Sequence, residues 1–298
     1  MNTFFPNRDI VFQLGVSYTG STDEIGFINA DGSDLHYFQI PFKESVSIQT
    51  PVWTDDGGLL FFGAPNTVVT ALIEKDYPLT LKLRNKWTYQ PSLIHGTHEI
   101  LLNSVLDEFT SAILREDYFS AEILETYPMD QSISRIYLGA NNFVKQQLLY
   151  SQLIKEDNNI YRYELVILDT NTNQISILLS YSGIPQEVTR ILNPAFSPSG
   201  EWIAYTSNDG IYLIRPDGSE IQRIVQMKNM RQFWTSAASW SPDGKSIVYH
   251  YCTKDGWDCE GDTERENNII YRYDLETKEE RVLVVGGVNP YWRWDTTE

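Results

Sequence analysis

The sequence predicts an all-β protein assembled from small antiparallel sheets. One pattern occurs three times, in residues 52–62 (VWTDDGGLLFF), 195–205 (AFSPSGEWIAY) and 239–249 (SWSPDGKSIVY). Each copy places an aromatic residue before a Gly-containing turn and an apolar segment after it, which is the pattern of two strands joined by a tight reversal. The 18 Tyr, 13 Phe and 8 Trp residues of this 298-residue chain also favour strands over helices.

The clearest copy of the repeat extends over residues 193–225. Four short apolar segments alternate there with three turns, PSG at 198–200, NDG at 208–210 and PDG at 216–218. Proline fixes φ and glycine accepts positive φ, so each triplet favours a chain reversal. Four antiparallel strands within ~35–45 residues are typical of one blade of a β-propeller.

Related segments predict a six-bladed β-propeller that forms a single domain over residues 1–298. The other blades are assigned to segments that begin near residues 10, 50, 90, 134 and 238. Residues 289–292 (NPYW) repeat residues 193–196 (NPAF), yet no blade follows them, and the blade that begins at Ile10 lacks a first strand. We therefore expect the C-terminal strand to join the N-terminal blade and close the ring of four-stranded antiparallel blades, which removes unpaired sheet edges.

These motifs resemble the repeats of the TolB-like six-bladed propellers, a WD-related class. The resemblance rests on SPSGEWIAY, SPDGKSIVY, RPDGSE and the NPAF/NPYW pair, and it extends over about 280 residues. It implies the fold and leaves the activity open, because the motif residues are structural. We expect propeller repeats throughout, without a counterpart of the α/β domain that precedes the propeller in TolB. Oligogalacturonate lyase has related repeats, but its metal-binding histidine cluster is a poor match to the four scattered His residues here.

The charge of the chain argues against two classes of partner. The chain has 40 acidic and 23 basic residues, which give a formal net charge of −17. Nucleic acids and anionic membrane surfaces both select dense Lys and Arg, so we expect neither as a partner. No apolar run approaches the ~20 residues of a transmembrane helix, so we expect no membrane insertion.

The two cysteines bear on the cellular compartment. Cys252 and Cys259 are the only Cys residues, and they flank a short turn in the segment YCTKDGWDCEGD. Their separation allows a disulfide across a hairpin, with two free thiols as the alternative. A disulfide favours an oxidising, periplasmic or extracellular location, which the resemblance to TolB-like propellers also implies. The first 15 residues lack the pattern of a signal peptide, and prior removal of a leader stays open.

No cofactor and no metal site is predicted. His95 and His98 have H-x-x-H spacing, but they flank a predicted turn, so we assign them no metal. Acidic side chains are concentrated around and after the second cysteine, where Ca²⁺ is the alternative to a solvated acidic loop. These side chains are Asp255, Asp258, Glu260, Asp262, Glu264 and Glu266.

The binding surface is predicted on the irregular loops. In a propeller, the turns after first and third strands lie on one face, while the second-to-third loops and the inter-blade connections lie on the other. Aromatic and arginine side chains, which anchor binding interfaces, are concentrated in the irregular segments of that second face. The candidates are Trp87, Tyr181, Arg190, Arg231, Phe233, Trp234 and Trp257. The alternative for each is packing between blades.

The favoured function is a non-enzymatic, monomeric binding or scaffold module. It would recognise a protein, a peptide or a glycan at the irregular loop face and the central channel. The sequence shows no nucleophile–base pair, metal cluster or phosphate-binding loop, which favours binding over catalysis. The alternative is a carbohydrate-active lyase or hydrolase with paired carboxylates in the channel. Asp117, Glu125 and Glu187 are carboxylates near the predicted inter-blade loops.

Overall fold

The structure is a computed structural model in two compact units. The first unit is Met1–Lys86 with Gln232–Glu298, and the second is Trp87–Arg231. The residues described are 8–14, 24–39, 47–54, 59–64, 67–72, 80–85, 88–105, 111–117, 120, 122–139, 143–156, 159–185, 187–227, 238–252 and 265–294. Their regular elements are strands and a short 3-10 helix at Arg265–Asn267. None of these segments forms a helix with the length and hydropathy that a membrane crossing requires.

The first unit contains three four-stranded antiparallel sheets. One is formed by β1 (Ile10–Leu14), β2 (Glu24–Ile28), β3 (His36–Gln39) and the C-terminal β25 (Gly287–Trp292). Another is formed by β4 (Ser47–Trp53), β5 (Leu59–Ala64), β6 (Thr67–Leu72) and β7 (Thr80–Asn85). The third is formed by β21 (Ser239–Trp240), β22 (Ser246–Cys252), β23 (Asn268–Asp274) and β24 (Glu280–Val285).

The second unit also contains three antiparallel sheets. The first is formed by β8 (Thr88–Ile94), β9 (Glu99–Val105), β10 (Ser111–Asp117) and β11 (Ile123–Pro128). The next is formed by β12 (Ile133–Tyr137), β13 (Phe143–Val144), β14 (Gln147–Lys155), β15 (Tyr161–Asp169) and β16 (Ile175–Gly183). The last is formed by β17 (Leu192–Phe196), β18 (Ile203–Ser207), β19 (Gly210–Ile214) and β20 (Gln222–Gln226).

The number of four-stranded blades differs from the prediction. Within the described ranges five sheets have four strands, whereas the β12–β16 sheet has five, so the prediction of six four-stranded blades is wrong. The added strand β13 forms a small hairpin with β14 through Lys145 and Gln146, whose φ angles are 54° and 61°. Two consecutive positive φ values define a type I′ turn, which usually contains Asn or Gly. Because Lys and Gln occupy these positions here, the sequence gives no sign of the hairpin. The single domain over residues 1–298 stays a prediction.

The C-terminal strand pairs with the N-terminal sheet, which confirms this part of the prediction. Trp292 is opposite Ile10 and Tyr291 is opposite Val11 in the antiparallel β25–β1 ladder. Trp292 and Tyr291 are each 4% exposed, so apolar burial stabilises the strand in addition to backbone bonds. The Trp292 N–H also donates to Ser239 Oγ at 3.0 Å, which ties β25 to the β21–β24 sheet of the same unit.

The aromatic residue of the repeated pattern is buried in each of its three copies. Trp53, Phe196 and Trp240 are each 1% exposed. The Trp53 ring lies 5.5 Å from the Phe27 ring on β2, measured between centroids, at a tilt of 54°. Tilted aromatic contacts of this kind contribute beyond their buried area. The repeated aromatic is therefore a packing residue, as the sequence predicts.

A β-bulge explains the proline that precedes this aromatic in two strands. The register of β17 and β18 shifts at Asn193 and Pro194, and the register of β1 and β25 shifts at Asn289 and Pro290. Proline has no N–H to donate to a ladder, so a bulge is where a paired strand tolerates it. Asn193 and Asn289 both have a φ of 51°, a conformation that Asn adopts more readily than most residues.

The Ser-Pro turn that follows the aromatic closes in the same way in two copies. Ser241 Oγ accepts a hydrogen bond from the Ser246 N–H at 2.9 Å, and Ser197 Oγ accepts one from the Trp202 N–H at 3.1 Å. Gly200 has a φ of 69°, which favours glycine there. The serine and the glycine of this motif therefore specify the reversal between the first and second strands.

Candidate functional site

One end of the β12–β16 sheet carries its irregular connections. Lys155, at the end of β14, pairs with Tyr161 at the start of β15, and Tyr161 pairs with Gly183 at the end of β16. The connection 184–191 leaves β16 from this end and leads to β17. The second-to-third-strand turn and the connection to the next sheet are therefore neighbours.

The β17–β20 sheet presents a turn beside the same connection. The Arg190 N–H donates to Asn208 Oδ1 at 3.0 Å, and Asn208 Nδ2 donates to the Val188 carbonyl at 2.9 Å. Asn208 belongs to the β18–β19 turn, so these two bonds fix the connection to that turn. We define the loop end of the second unit as residues 184, 185 and 187–191 of the connection, the turn 207–210 and the adjoining parts of β12, β15 and β16.

A cross-strand row of four side chains crosses the loop end. Arg135 on β12 pairs with Leu153 on β14. Leu153 pairs in turn with Tyr163 on β15, which pairs with Tyr181 on β16. Residues directly opposite each other in antiparallel strands project from the same face. Leu153, Tyr163 and Tyr181 contact the apolar cluster between this sheet and the β17–β20 sheet, while Arg135 is exposed.

Tyr137 adds a second ring beside Tyr163. It follows Arg135 by two residues on β12, so both side chains project from one face. The Tyr137 and Tyr163 ring centroids are 6.3 Å apart, with the planes at 28°. Burial raises the pKa of Tyr163, and the Tyr137 hydroxyl raises it further, whereas the charges of Arg190 and Arg135 lower it. Both guanidinium groups therefore act on one buried phenol.

A second tyrosine pair continues the aromatic packing onto the next sheet. The Tyr205 and Tyr212 rings stack with centroids 5.4 Å apart and planes at 17°. Burial raises the pKa of Tyr205, and the nearby Tyr181 hydroxyl raises it further, so Tyr181 links the two tyrosine pairs. The Tyr212 hydroxyl donates to Asp209 Oδ1 at 2.9 Å, which gives its polar tip a partner.

The opposite face of β15 holds a charge cluster with a structural role. Glu164 is 2% exposed and accepts a bond from Gln152 Nε2 at 2.7 Å. Arg162 approaches Glu164 to 3.4 Å and Glu156 to 3.2 Å. A buried carboxylate is tolerated when charged and hydrogen-bonding partners surround it. We therefore assign this cluster to the stability of the sheet.

Two of the seven predicted binding residues are described, and both lie at the loop end. Tyr181 is half-buried against the apolar cluster, so it contributes to packing between sheets and keeps an exposed portion. Arg190 is half-buried in the connection. The other five residues lie outside the described ranges: Trp87, Arg231, Phe233, Trp234 and Trp257.

Sequence analysis missed Arg135, Tyr137 and Tyr163. They lie within strands, where alternation alone does not distinguish a surface side chain from a core residue. The sequence signal that could have identified these residues is the alternation of side chains with polar tips, R-x-Y at 135–137 and Y-x-Y at 161–163. Each places two such side chains on one face of a strand.

The predicted disulfide and calcium segment fall largely outside the described ranges. Cys252 ends β22 and is half-buried, while Cys259 is not among the described residues, so their pairing stays a prediction. Of the acidic side chains in that segment, Glu266 alone is described, and it is exposed in the short 3-10 helix. Calcium binding stays an alternative for this segment.

The H-x-x-H pair lies in a turn, as the sequence predicts. His95 and His98 belong to the reversal between β8 and β9, where Thr97 Oγ1 donates to the Ile94 carbonyl at 2.7 Å. Glu99 N–H donates to Thr97 Oγ1 at 3.1 Å, which completes the turn. Within the described part of the chain, no group of three or more His, Cys, Asp or Glu side chains is placed to hold a metal ion.

Two carboxylates considered for an enzymatic role have local structural partners. Glu125 approaches Arg115 to 3.2 Å on β11, the strand at the edge of its sheet opposite to β8. Asp117 Oδ1 accepts the Ser120 N–H at 2.6 Å in the turn after β10. The third, Glu187, is exposed in the connection of the loop end. These placements differ from the facing carboxylate pair of a glycosidase.

Comparisons with known proteins show the fold. No family model and no curated protein matches the sequence. A protein assigned as TolB from Agrobacterium tumefaciens has a TM-score of 0.66 at 16% identity, over 96% of this chain and 93% of that chain. TolB from Acinetobacter baumannii has a TM-score of 0.65 at 12% identity, over 97% of this chain and 67% of that chain. A chain of the nidogen/laminin complex has a TM-score of 0.63 at 10% identity, over 97% and 99% respectively.

Oligogalacturonate lyase in complex with manganese is a more distant neighbour. It has a TM-score of 0.51 at 16% identity, over 89% of this chain and 74% of that chain. At such identities the likeness shows the fold and not the activity. The chain is therefore an all-β propeller of four-stranded antiparallel blades, similar in fold to TolB.

Proposed function

We propose that the chain is a non-enzymatic binding module that recognises a protein or a peptide at the loop end of the second unit. The observation that carries the proposal is the cross-strand row defined above, with Tyr137 and Arg190 beside it. Tyr and Arg side chains dominate interface hot spots because they combine apolar area with polar tips. The tyrosines of this row are held by packing against the apolar cluster, so ordering them on binding costs little free energy.

The charge and the fold of the chain favour a protein or a peptide as the partner. A net charge of −17 disfavours nucleic acids and anionic membranes, whose binding depends on Lys and Arg. One neighbour of similar fold is a chain of a nidogen/laminin complex, which supports protein binding as a use of this fold. A glycan is the alternative ligand, because tyrosine rings also stack on sugars. We propose a monomer in solution.

We propose a periplasmic or extracellular location. The support is the TolB-like fold, together with the proposed Cys252–Cys259 disulfide, which requires an oxidising compartment. The enzymatic alternative, a carbohydrate-active lyase or hydrolase, draws support from the likeness to oligogalacturonate lyase, which concerns the fold alone.

Peptide and glycan arrays probed with the purified chain test the proposal. We expect selective binding to a set of peptides, and loss of most of that binding in Tyr181→Ala and Arg190→Ala. Tyr37→Ala and Arg281→Ala are matched controls, since both residues are exposed on strands of the first unit. Array binding that survives both loop-end variants would place recognition elsewhere. Selective binding to glycans, followed by their cleavage, would favour the enzymatic alternative.

A further inference from the structure

We infer that the loop end binds a carboxylate of an acidic peptide, with the guanidinium of Arg135 as the principal contact and the Tyr137 hydroxyl and the charge of Arg190 in support. The inference rests on the proposed binding function and adds the chemical class of the ligand. Three observations carry it: the unpaired charge of Arg135, its place in the cross-strand row, and the second arginine charge that acts on the same buried phenol.

Arg135 differs from the arginines that pair with carboxylates. Those arginines include Arg8, Arg115, Arg162, Arg215, Arg223 and Arg272. Arg135 is exposed, and within the described part of the chain it has no ion pair or hydrogen bond through its side chain. In a chain with 40 acidic and 23 basic residues, intramolecular carboxylates outnumber cations. An arginine that has no intramolecular carboxylate partner is therefore available to a carboxylate of a bound ligand.

The position of Arg135 on β12 fixes its neighbours. Arg135 on β12 is opposite Leu153 on β14, and Leu153 is in turn opposite the buried Tyr163 on β15. Arg135 also shares a strand face with Tyr137. The stacked rings of Tyr137 and Tyr163 belong to the same sheet face as Arg135. A phenol hydroxyl can donate a hydrogen bond to an anion. The site therefore offers planar guanidinium donors and a phenol donor on one sheet face.

Two arginine charges act on one buried phenol at this face. The charges of Arg135 and Arg190 both act on the Tyr163 phenol and favour its anionic form. On the β12–β16 sheet, Glu164 and Glu156 are engaged by Arg162. Elsewhere in the loop end, Asp209 pairs with Arg223, and Glu187 is exposed in the connection. A carboxylate that docks at Arg135 would thus be attracted by the charges of Arg135 and Arg190.

The chemistry of the site selects a carboxylate over a polyanion. Arginine binds a planar carboxylate through two parallel N–H···O bonds, which suits the side chain of Glu or Asp. A nucleic acid or a sulfated glycan would bring many negative charges toward a surface of net charge −17. A peptide with isolated acidic residues brings one charge to one cation. Its backbone and apolar side chains can lie on the exposed portions of Tyr137 and Tyr181.

NMR titration of the full chain tests the inference. The probes are acetyl-Tyr-Glu-Gly-amide and its Gln counterpart, at 150 mM salt, with the Arg Nε–Hε resonances observed. We expect the Glu peptide to shift the Arg135 resonance and the Gln peptide to bind about tenfold more weakly or worse, as loss of a charged hydrogen bond implies. Arg135→Gln should abolish the preference for Glu, and Arg281→Gln, on β24, should preserve it.

Three outcomes would overturn the inference. Equal binding of the Glu and Gln peptides would show that the site does not recognise the carboxylate. An unchanged preference for Glu in Arg135→Gln would show that Arg135 is not the residue that binds it. Binding of galacturonic acid in place of the Glu peptide would assign the site to an acidic sugar. The inference can fail while the proposed function stands: array peptides would then still depend on Tyr181, and Arg135→Gln would have no effect. The proposed function fails if array binding survives Tyr181→Ala and Arg190→Ala.

Discussion

Trp292 lies directly opposite Ile10, so residues from the two ends of the chain form neighbouring positions in one sheet. Next to this pair, the Arg293 N–H donates to the Asp9 carbonyl at 2.7 Å. The Trp294 Nε1 also donates to a carbonyl of the β21–β24 sheet, at 3.2 Å. The C-terminal segment therefore supplies backbone pairing, buried aromatic surface and a tie to a second sheet.

Deletion of residues 286–298 should lower the melting temperature markedly. The deletion exposes the edge of β1 and removes Trp292 and Tyr291, each 4% exposed, from the core of the first unit. Circular dichroism melts of the truncated and full-length chains measure the effect. Removal of residues 295–298 alone is the matched control, because it leaves β25 intact. If the 286–298 deletion variant has the same melting temperature as the full-length chain, this strand does not stabilise the fold.

Trp240→Ala should reduce the free energy of unfolding by about 3–5 kcal/mol, as large-to-small substitutions in a core do. Trp240 is 1% exposed and is one of the largest fully buried side chains. Urea denaturation followed by far-UV circular dichroism gives the change in midpoint. Tyr37→Ala, at a residue that is 51% exposed, should leave the midpoint nearly unchanged. Equal midpoints for Trp240→Ala and the parent would refute the packing role of the repeated aromatic.

Most strands were predictable because the repeat combines alternation with turn chemistry. The turn at Ser197–Gly200 illustrates this, since serine, proline and glycine each favour the reversal that the structure shows. The pairing of β25 with β1 was predictable because Asn289-Pro290 repeats Asn193-Pro194 at an equivalent bulge. Strand β13 was not, because its turn places Lys145 and Gln146 at positive φ without the residues that usually mark such a turn.

The candidate site was predictable only in part. Tyr181 and Arg190 were identified because they lie in or next to an irregular segment, where Tyr and Arg are conspicuous. Arg135 and Tyr163 become neighbours through the register of three strands, and the sequence contains no direct record of that register. Their recognition as one row therefore required the pairing of β12, β14 and β15.

Aspartates in the tight turns should make stability sensitive to acid. Hydrogen bonds from Thr277 lower the pKa of Asp274, and hydrogen bonds from Thr172 lower the pKa of Asp169. Because the folded pKa lies below the unfolded one, this stabilisation is complete above the unfolded pKa and is lost as the pH falls through the folded pKa. We expect the free energy of unfolding to decrease as the pH drops below about 4, where unfolded Asp begins to protonate.

The double variant Asp274→Asn/Asp169→Asn tests the origin of this acid sensitivity. Asn keeps an oxygen acceptor for the turn bonds but does not titrate, so the slope of stability against pH should be shallower than in the parent. Urea denaturation at several pH values between 2 and 6 gives both slopes. Glu276→Gln, exposed in one of the same turns, is the control. Superimposable slopes for the double variant and the parent would rule out these carboxylates as the cause.

Cys252 and Cys259 are predicted to form one disulfide. Thiol titration of the denatured, unreduced protein should then detect no free thiol. The bridge closes a short loop, so its loss should cost at most ~2–3 kcal/mol of global stability. We expect the Cys252→Ser/Cys259→Ser variant to fold almost normally. Detection of two free thiols would remove the bridge and the main support for an extracytoplasmic location.

Chemical-shift mapping with an array-selected peptide tests the central claim most directly, because it makes no assumption about which residues bind. We expect the amide shifts to concentrate in the segments that form the loop end, residues 133–137, 161–163, 181–185, 187–191 and 207–210. The same peptide should cause few shifts in the Tyr181→Ala variant. Shifts confined to the strands of the first unit, or shifts that persist unchanged in Tyr181→Ala, would contradict recognition at the loop end.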